Sequence, residues 1–328
     1  MYCVLALLRC AVRAFLFALV AFAHPAASSD AFPVDVQHAL GTTRIEQSPR
    51  RIVTLGWNGD DIVLSLGRRP VGIARYGLFE EGVPPWNPEL LQAPRPVLLD
   101  DSQLDFEAVA ALRPDLILAV RTGIGMLQWK RLSSIAPTVV YRSGPWKADW
   151  REQTRLTGEA LGERAKAQAL IGKTETALQR MAAEHPELKG KTFIFGAIFR
   201  ADKSLGIYFD GDPRVAALLE LGLVMPDSVK ALARQNPGQR ATAISFEAID
   251  SLDADILIVW YQPGARAEAE RDPLFRRFGP VARGAYVALD DPIAIWATSA
   301  LSIRSIPYGL PDFLAHLAEA ARHVEKTP

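Results

Sequence analysis

Cysteine is nearly missing from this chain: among 328 residues the only two are Cys3 and Cys10. Beyond residue 10, disulfides and thiolate metal sites are therefore excluded. Histidine is scarce as well. The five histidines (24, 38, 185, 316 and 323) are scattered, and none stands at metal-site spacing from a second histidine or a carboxylate. No metal-ligating set is assigned. An excess of either charge is also lacking. The 37 basic residues balance 37 acidic ones, with no basic stripe and no charge run, which argues against nucleic acid and bulk membrane surfaces as partners. No Gly-x-Gly-x-x-Gly follows a strand pattern, and there is neither a phosphate-binding Gly-x-x-x-x-Gly-Lys-Ser/Thr nor a Gly-x-Ser-x-Gly elbow. No catalytic residue is assigned, and no resident cofactor is called for.

The apolar run Ala14 to Ala23 is too short to span a membrane, which argues against the rival reading of an N-terminal anchor helix. Arg9 and Arg13 precede it and Ala23-His24-Pro25-Ala26-Ala27-Ser28 follows, so residues 1–27 read as a secretory signal peptide with cleavage after Ala23, Ala26 or Ala27. Cys10 lies before the apolar run, not after it, and does not look like a lipidation site. Without Arg9 and Arg13 the 37 basic residues become 35 against 37 acidic ones, a net charge of −2. An exported, freely diffusing protein is expected.

What the chain has in plenty is apolar surface, with 49% hydrophobic residues, enough for two cores. The organising stretch is Gly162 to His185. Ala167, Leu170, Ile171, Ala177, Leu178 and Met181 recur there at helical spacing, closed by Pro186 and Gly190. A near-repeat flanks it. Phe106-Glu107-Ala108-Val109 through Leu118 returns as Phe246-Glu247-Ala248-Ile249 through Ile258, at a fixed offset of 140 residues. Short β-rich runs at 51–55, 71–74, 97–99, 115–120, 138–141, 191–198, 255–260 and 286–289 alternate with helical patterns at 105–113 and 126–135. Residues 34–49 read as an extended entry segment, the proline-rich 77–96 as a surface excursion, and the last helix ends near His323. The expected fold is α/β: two doubly wound lobes with mainly parallel sheets, bridged by a single long helix. The N-terminal lobe is set at 34–145, the linking segment at 146–188 and the C-terminal lobe at 189–328.

In doubly wound sheets, ligands bind outside the carboxyl ends of the strands. Here those exits carry Trp57, then Arg75 and Tyr76, then Arg121, then Arg142 and Trp146. In the second lobe they carry Phe199 and Arg200, then Trp260 and Tyr261, with Trp296 after the last strand. Arginine offers a fork of donors for anionic oxygens, and the aromatics supply flat walls. Facing rims of this kind suit an anionic, ring-bearing ligand. Asp105 and Ser245 are expected to cap helices, which puts Glu107 and Glu247 in first helical turns, where the helix dipole favours a carboxylate.

The stretches His38 to Thr43, Pro49 to Leu55, Leu66 to Ala74, Phe106 to Leu118, Ile135 to Val139 and Ser245 to Ile258 resemble the periplasmic substrate-binding proteins of ABC importers for ferric siderophores. That group also includes ferric-citrate, haem and cobalamin binders. The likeness implies two lobes on one long helix with little relative motion, and a ligand held between them. It implies contacts from Arg121, Arg200, Trp57 and Tyr208, and docking of Glu107 and Glu247 on arginines of a homodimeric permease. The protein would then be a monomeric, non-enzymatic periplasmic carrier whose ferric iron arrives inside the siderophore. Haem or a corrinoid is the rival cargo, and an exported two-domain α/β enzyme is the rival class.

Overall fold

The computed structural model describes residues 32–100 and 103–325; the proposed signal peptide lies outside them. The chain enters through a hairpin, β1 (Val34–His38) against β2 (Gly41–Ile45). Val34 and Val36 point inward while Asp35 and Gln37 face water, the period-two alternation of a half-buried strand.

The N-terminal sheet consists of β3 (Ile52–Gly56), β4 (Gly72–Ala74), β5 (Val97–Leu99), β6 (Leu116–Arg121) and β7 (Thr138–Val140), all parallel, in the order β5-β4-β3-β6-β7. Its central strands β3 and β6 are buried along their whole length, which is why they read as unbroken apolar runs. Helices α1 (Gly59–Ser65), α2 (Phe106–Ala111) and α3 (Met126–Ser133) make the crossovers.

Two further helices carry the chain across, α4 (Trp150–Ala160) and α5 (Arg164–Glu184). At 21 residues α5 is about 31 Å long. Ala167, Ile171, Leu178 and Met181 form its buried stripe. One continuous apolar core runs through both lobes and past this helix.

The second sheet has β8 (Phe193–Ile198), β9 (Ser204–Tyr208), β10 (Ala241–Ser245), β11 (Ile256–Tyr261) and β12 (Tyr286–Leu289), ordered β10-β9-β8-β11-β12. Here β8, β11 and β12 are parallel, whereas β9 and β10 are antiparallel additions at one edge. Around it lie α6 (Pro213–Glu220), α7 (Asp227–Gln235), α8 (Ala265–Ala269), α9 (Pro273–Arg277), α10 (Gly279–Ala282), α11 (Pro292–Ser299) and α12 (Ser305–Glu325).

Three sequence expectations need correction. Strands β9 and β10 were not anticipated, because β9 is broken by Gly206 and β10 is a half-exposed edge with little apolar content. Ser245 does not cap a helix: it is the last residue of β10, and only a turn and the 3₁₀ turn Ile249–Ser251 follow. Asp105 does cap α2, accepting from the amides of Glu107 and Ala108 at 2.9 and 3.0 Å. Residues 77–96 are more than a surface excursion. Val83, Trp86, Asn87 and Leu90 are buried, and Trp86 and Asn87 close over α1.

The α4–α5 corner depends on a glycine. A Cβ placed on Gly158 would lie 2.3 Å from the Cβ of Ala167. Replacing a helical glycine by alanine gains about 1 kcal/mol of helix propensity, but overpacking costs about 1–3 kcal/mol. Neither Cβ can rotate away, so overpacking prevails. Gly158→Ala is expected to lower the unfolding free energy in a urea titration, and an unchanged or raised midpoint would show that the corner gives way freely.

Candidate ligand-binding cleft

Where β3 ends, the backbone passes close to the end of β6. Gly56 has φ +71°, and a Cβ there would lie 2.3 Å from the carbonyl oxygen of Arg121. That approach lets the Trp57 amide donate to the same carbonyl at 3.2 Å. The loop after β6 is shaped in a similar way. Gly123 leaves room for the indole of Trp146, whose own amide donates to Thr122 at 2.9 Å. Trp57 consequently packs on Trp146 with ring centres 5.3 Å apart, and on Trp296 of α11 at 4.8 Å. Tyr76 meets the edge of Trp296 at 5.1 Å. These rings form a wall at the junction of the two lobes. Beside the wall lies a pocket of about 230 Å³ lined by Leu55, Gly56, Ala74, Leu99, Thr122 and Trp146, at the exits of β3, β4, β5 and β6. This is where a doubly wound sheet places a ligand. The indole nitrogen of Trp296 is buried and has no hydrogen-bond partner.

Arg121, the last residue of β6, is 5% exposed. Its guanidinium reaches across the junction, donating to the carbonyls of Ala148 at 2.7 Å and Ser299 at 3.4 Å, with its carbon 5.6 Å from the Trp57 ring centre. Its Nε is unpartnered. Burial pulls its pKa down to about 10; Asp212 opposes that shift, while Arg214 and Arg240 reinforce it. Arg121 therefore stays charged at neutral pH. Asp212 caps α6 through the Arg214 amide and takes the Arg214 guanidinium in two bonds of 2.7 and 2.8 Å. Burial pushes the Asp212 carboxyl up, and the paired Arg214 more than reverses this and holds it low. Arg214 also lies 3.7 Å from the centre of the Tyr208 ring. Arg240, just before β10, donates to the Trp146 carbonyl at 3.3 Å. Three arginines thus meet at the junction against the carboxylates of Asp212 and Asp149, leaving net positive charge beside an aromatic wall.

The residues expected from sequence divide into two groups. Trp57, Arg121, Trp146 and Trp296 come together at the junction, with Tyr208 joined to them through Arg214. Tyr76 is buried beneath the wall and donates its hydroxyl to Asp60. Arg75 is exposed at the exit of β4. Arg200 is exposed and pairs with Glu268 at 3.6 Å, and Tyr261 is buried with its hydroxyl against that of Tyr286. Trp260 donates to the Tyr208 hydroxyl at 3.1 Å. The named partners of Arg200 and Tyr261 all belong to the C-terminal lobe. The strand exits of the N-terminal lobe thus meet at the junction, whereas Arg200 and Tyr261 at the exits of β8 and β11 are engaged within their own lobe. The edge strand pair β9–β10, the start of α6, and α11 face the N-terminal lobe there, in place of the exits of β8 and β11. Arg214 and Arg240 were missed for that reason. The only sequence signal was Asp212-Pro213, a helix start that places Arg214 in the first turn. Glu107 and Glu247 are both exposed, one on each lobe. Among the described residues no group of three or more His, Asp or Glu side chains is placed to hold a metal ion, and no helix is long and apolar enough to cross a membrane.

The family model described as periplasmic binding protein matches residues 52–291. The chain belongs to that family. Among relatives of this binding protein, the probable siderophore-binding lipoprotein YfiY of Bacillus subtilis is 27% identical over 290 residues, covering 84% of this chain and 85% of its own. The Fe(3+) dicitrate-binding periplasmic protein FecB of Escherichia coli is 25% identical over 251 residues, covering 76% and 79%. The crystal structure of Streptococcus pneumoniae PiaA in complex with ferrichrome superposes with a TM-score of 0.78 at 32% identity, over 88% of this chain and 99% of that one. The mostly parallel two-lobe α/β architecture is shared, and these family members are binding proteins, not enzymes.

The Asp212–Arg214 pair of this binding protein is buried, with side chains 1% and 13% exposed. Removing one partner of such a pair costs about 3–5 kcal/mol, because the other charge is left uncompensated. Arg214→Ala should lose about that much in chemical denaturation. The double variant Asp212→Asn/Arg214→Ala should recover part of it, since asparagine keeps the helix cap. If the double variant is no more stable than the single one, the pair does not carry the effect.

Proposed function

We propose that this binding protein captures a ferric siderophore at the lobe junction and delivers it to an ABC permease. The observation that supports this most directly is the meeting of Arg121, Arg214 and Arg240 with the wall of Trp57, Trp146 and Trp296. Forked cationic donors beside flat apolar rings suit an anionic, ring-bearing or oxygen-rich chelate. The iron stays inside the siderophore, so no protein ligand to the metal is required. The siderophores and ferric citrate for which the relatives are named lend the reading chemical precedent. The protein acts without enzymatic chemistry, as a monomer in the periplasm. It is free of a lipid anchor in this reading, because both cysteines precede the apolar run Ala14 to Ala23.

The test is quenching of tryptophan fluorescence by ferrichrome, ferric dicitrate and haem. Tight binding of a ferric chelate carries the proposal. Binding of haem alone, seen in its absorbance, would transfer the assignment to haem transport, and turnover in a hydrolase screen would favour the enzyme reading. Losing one charge-assisted bond costs about 1.5–3 kcal/mol, about ten- to a hundredfold in affinity. Arg240→Ala should weaken binding of the ferric chelate by that factor. Unchanged affinity in a normally folded variant would remove Arg240 from the site.

Glu107 and Glu247 are proposed to dock on the permease, one glutamate to each of two identical subunits. Charges at a rim govern encounter and orientation more than the affinity of a separate site. The double alanine variant should bind ligand normally and abolish uptake. Wild-type uptake would reduce both glutamates to surface charges.

A further inference from the structure

Beneath the aromatic wall lie two acids that ligand capture does not use. Asp60 and Asp61, in the first turn of α1, are 0% and 1% exposed. Asp60 accepts from the Tyr76 hydroxyl and, at 2.8 Å, from the Asn87 amide. Asp61 accepts from the same amide at 2.6 Å, from the Trp86 indole at 3.1 Å and from the Ser302 hydroxyl. Ser302 belongs to the segment between α11 and α12, which returns from the C-terminal lobe. Nearby, Asn58 donates to the Leu301 carbonyl at 3.1 Å, and Arg304 bonds Asn87 at 2.9 Å, Ser65 at 3.0 Å and Glu89 at 2.6 Å. Trp296 sits in α11, one helix turn upstream of Ala300 where that return begins, with its ring against Tyr76 and Trp57.

We propose that Asp60 and Asp61 are positioning residues for the cleft: their carboxyl pair clasps the returning segment to the N-terminal lobe, holds Trp296 in the aromatic wall, and loosens as pH rises. This rests on the ligand reading only for its consequence in binding; the clasp itself concerns the protein without ligand.

The physical reason is a shortage of counter-charge. The charged and titratable groups around the pair are Tyr76 from the loop after β4, Glu89 from the 86–91 segment and Arg304 from the return. Arg304 is the single cation among them, and it is bound to Glu89. Two desolvated carboxylates in contact with the same amide cannot both ionise cheaply. Burial and the neighbouring charge of Asp60 push the Asp61 carboxyl up to about 7, while Ser302, Asn87 and Trp86 pull it down. Burial likewise raises Asp60, against its bonds from Tyr76 and Asn87. Between the ordinary carboxylate range and about pH 7, the clasped protein holds a proton that the unfolded chain has released. The stabilisation is therefore present at low pH and lost as pH rises through about 7.

The experiment is a titration of tryptophan fluorescence and near-ultraviolet circular dichroism from pH 5.5 to 9 without ligand. The wild type should show a transition centred near neutrality, and Asp61→Asn should show none. Should Asp61→Asn fold poorly, Ser302→Ala serves instead. It removes a donor to the ionised carboxylate and so moves the midpoint to higher pH, a shift that a purely structural role would not produce. Trp296→Phe should remove much of the fluorescence amplitude. A wild type without a transition, an unchanged transition in Asp61→Asn, or full amplitude without Trp296 would each overturn the clasp. With ferric dicitrate as probe, wild-type affinity should fall by up to about tenfold per pH unit above the midpoint, and that of Asp61→Asn should stay level. A flat wild-type affinity would overturn the positioning role. If no ferric chelate binds while the ligand-free transition is present, the siderophore reading fails and the clasp stands.

Discussion

The return of residues 299–305 onto the N-terminal lobe is the constraint on which the cleft depends. A single helix such as α5 would let two lobes pivot about it. A second attachment, made of buried hydrogen bonds, removes much of that freedom. The carbonyls of Ser299 and Leu301 are carried into the junction, and buried carbonyls must find donors. Arg121 and Asn58 supply them from the N-terminal lobe. The bond to Ser299 commits a guanidinium to a desolvated place. The surrounding carboxylates, Asp212 and Asp149, then offset its burial. The cationic character of the cleft thus has a structural origin.

The two lobes share a repeated sequence unit but not a role. After Asp105 the unit forms a capped helix leading into β6, whose end feeds Arg121 into the cleft. After Ser245 it forms a turn and a 3₁₀ segment leading into β11, whose end carries Tyr261 to a partner in its own lobe. The difference comes with the antiparallel pair β9–β10 added at the sheet edge. Ser245 ends β10 in register with Ser204, and no α-helix begins after it for its side chain to cap. The end of that pair, with the start of α6, then faces the N-terminal lobe and contributes Tyr208, Arg214 and Arg240. The N-terminal lobe supplies a pocket at its strand exits; the C-terminal lobe supplies charge from its edge.

Several features were determined by the sequence alone, because local periodicity or composition dictates them. The linking helix was legible between Gly162 and His185, since its apolar stripe recurs every three to four residues and glycine and proline close it; it runs from Arg164 to Glu184. The buried parallel strands were legible as short apolar runs, and the N-terminal rim, Trp57, Arg121 and Trp146, followed from the exits of those strands. What sequence could not decide were pairings made across long distances. Strands β9 and β10 have weak patterns and exist because each gives the other its hydrogen bonds. Arg214 and Arg240 matter because of which edge of the second sheet turns toward the first lobe. Nothing in the local sequence marks Asp60 and Asp61, two carboxylates in the first turn of α1, as buried. Only the closing of Trp86, Asn87 and Ser302 over them, the last from 241 residues away, takes them out of water and makes their charge consequential.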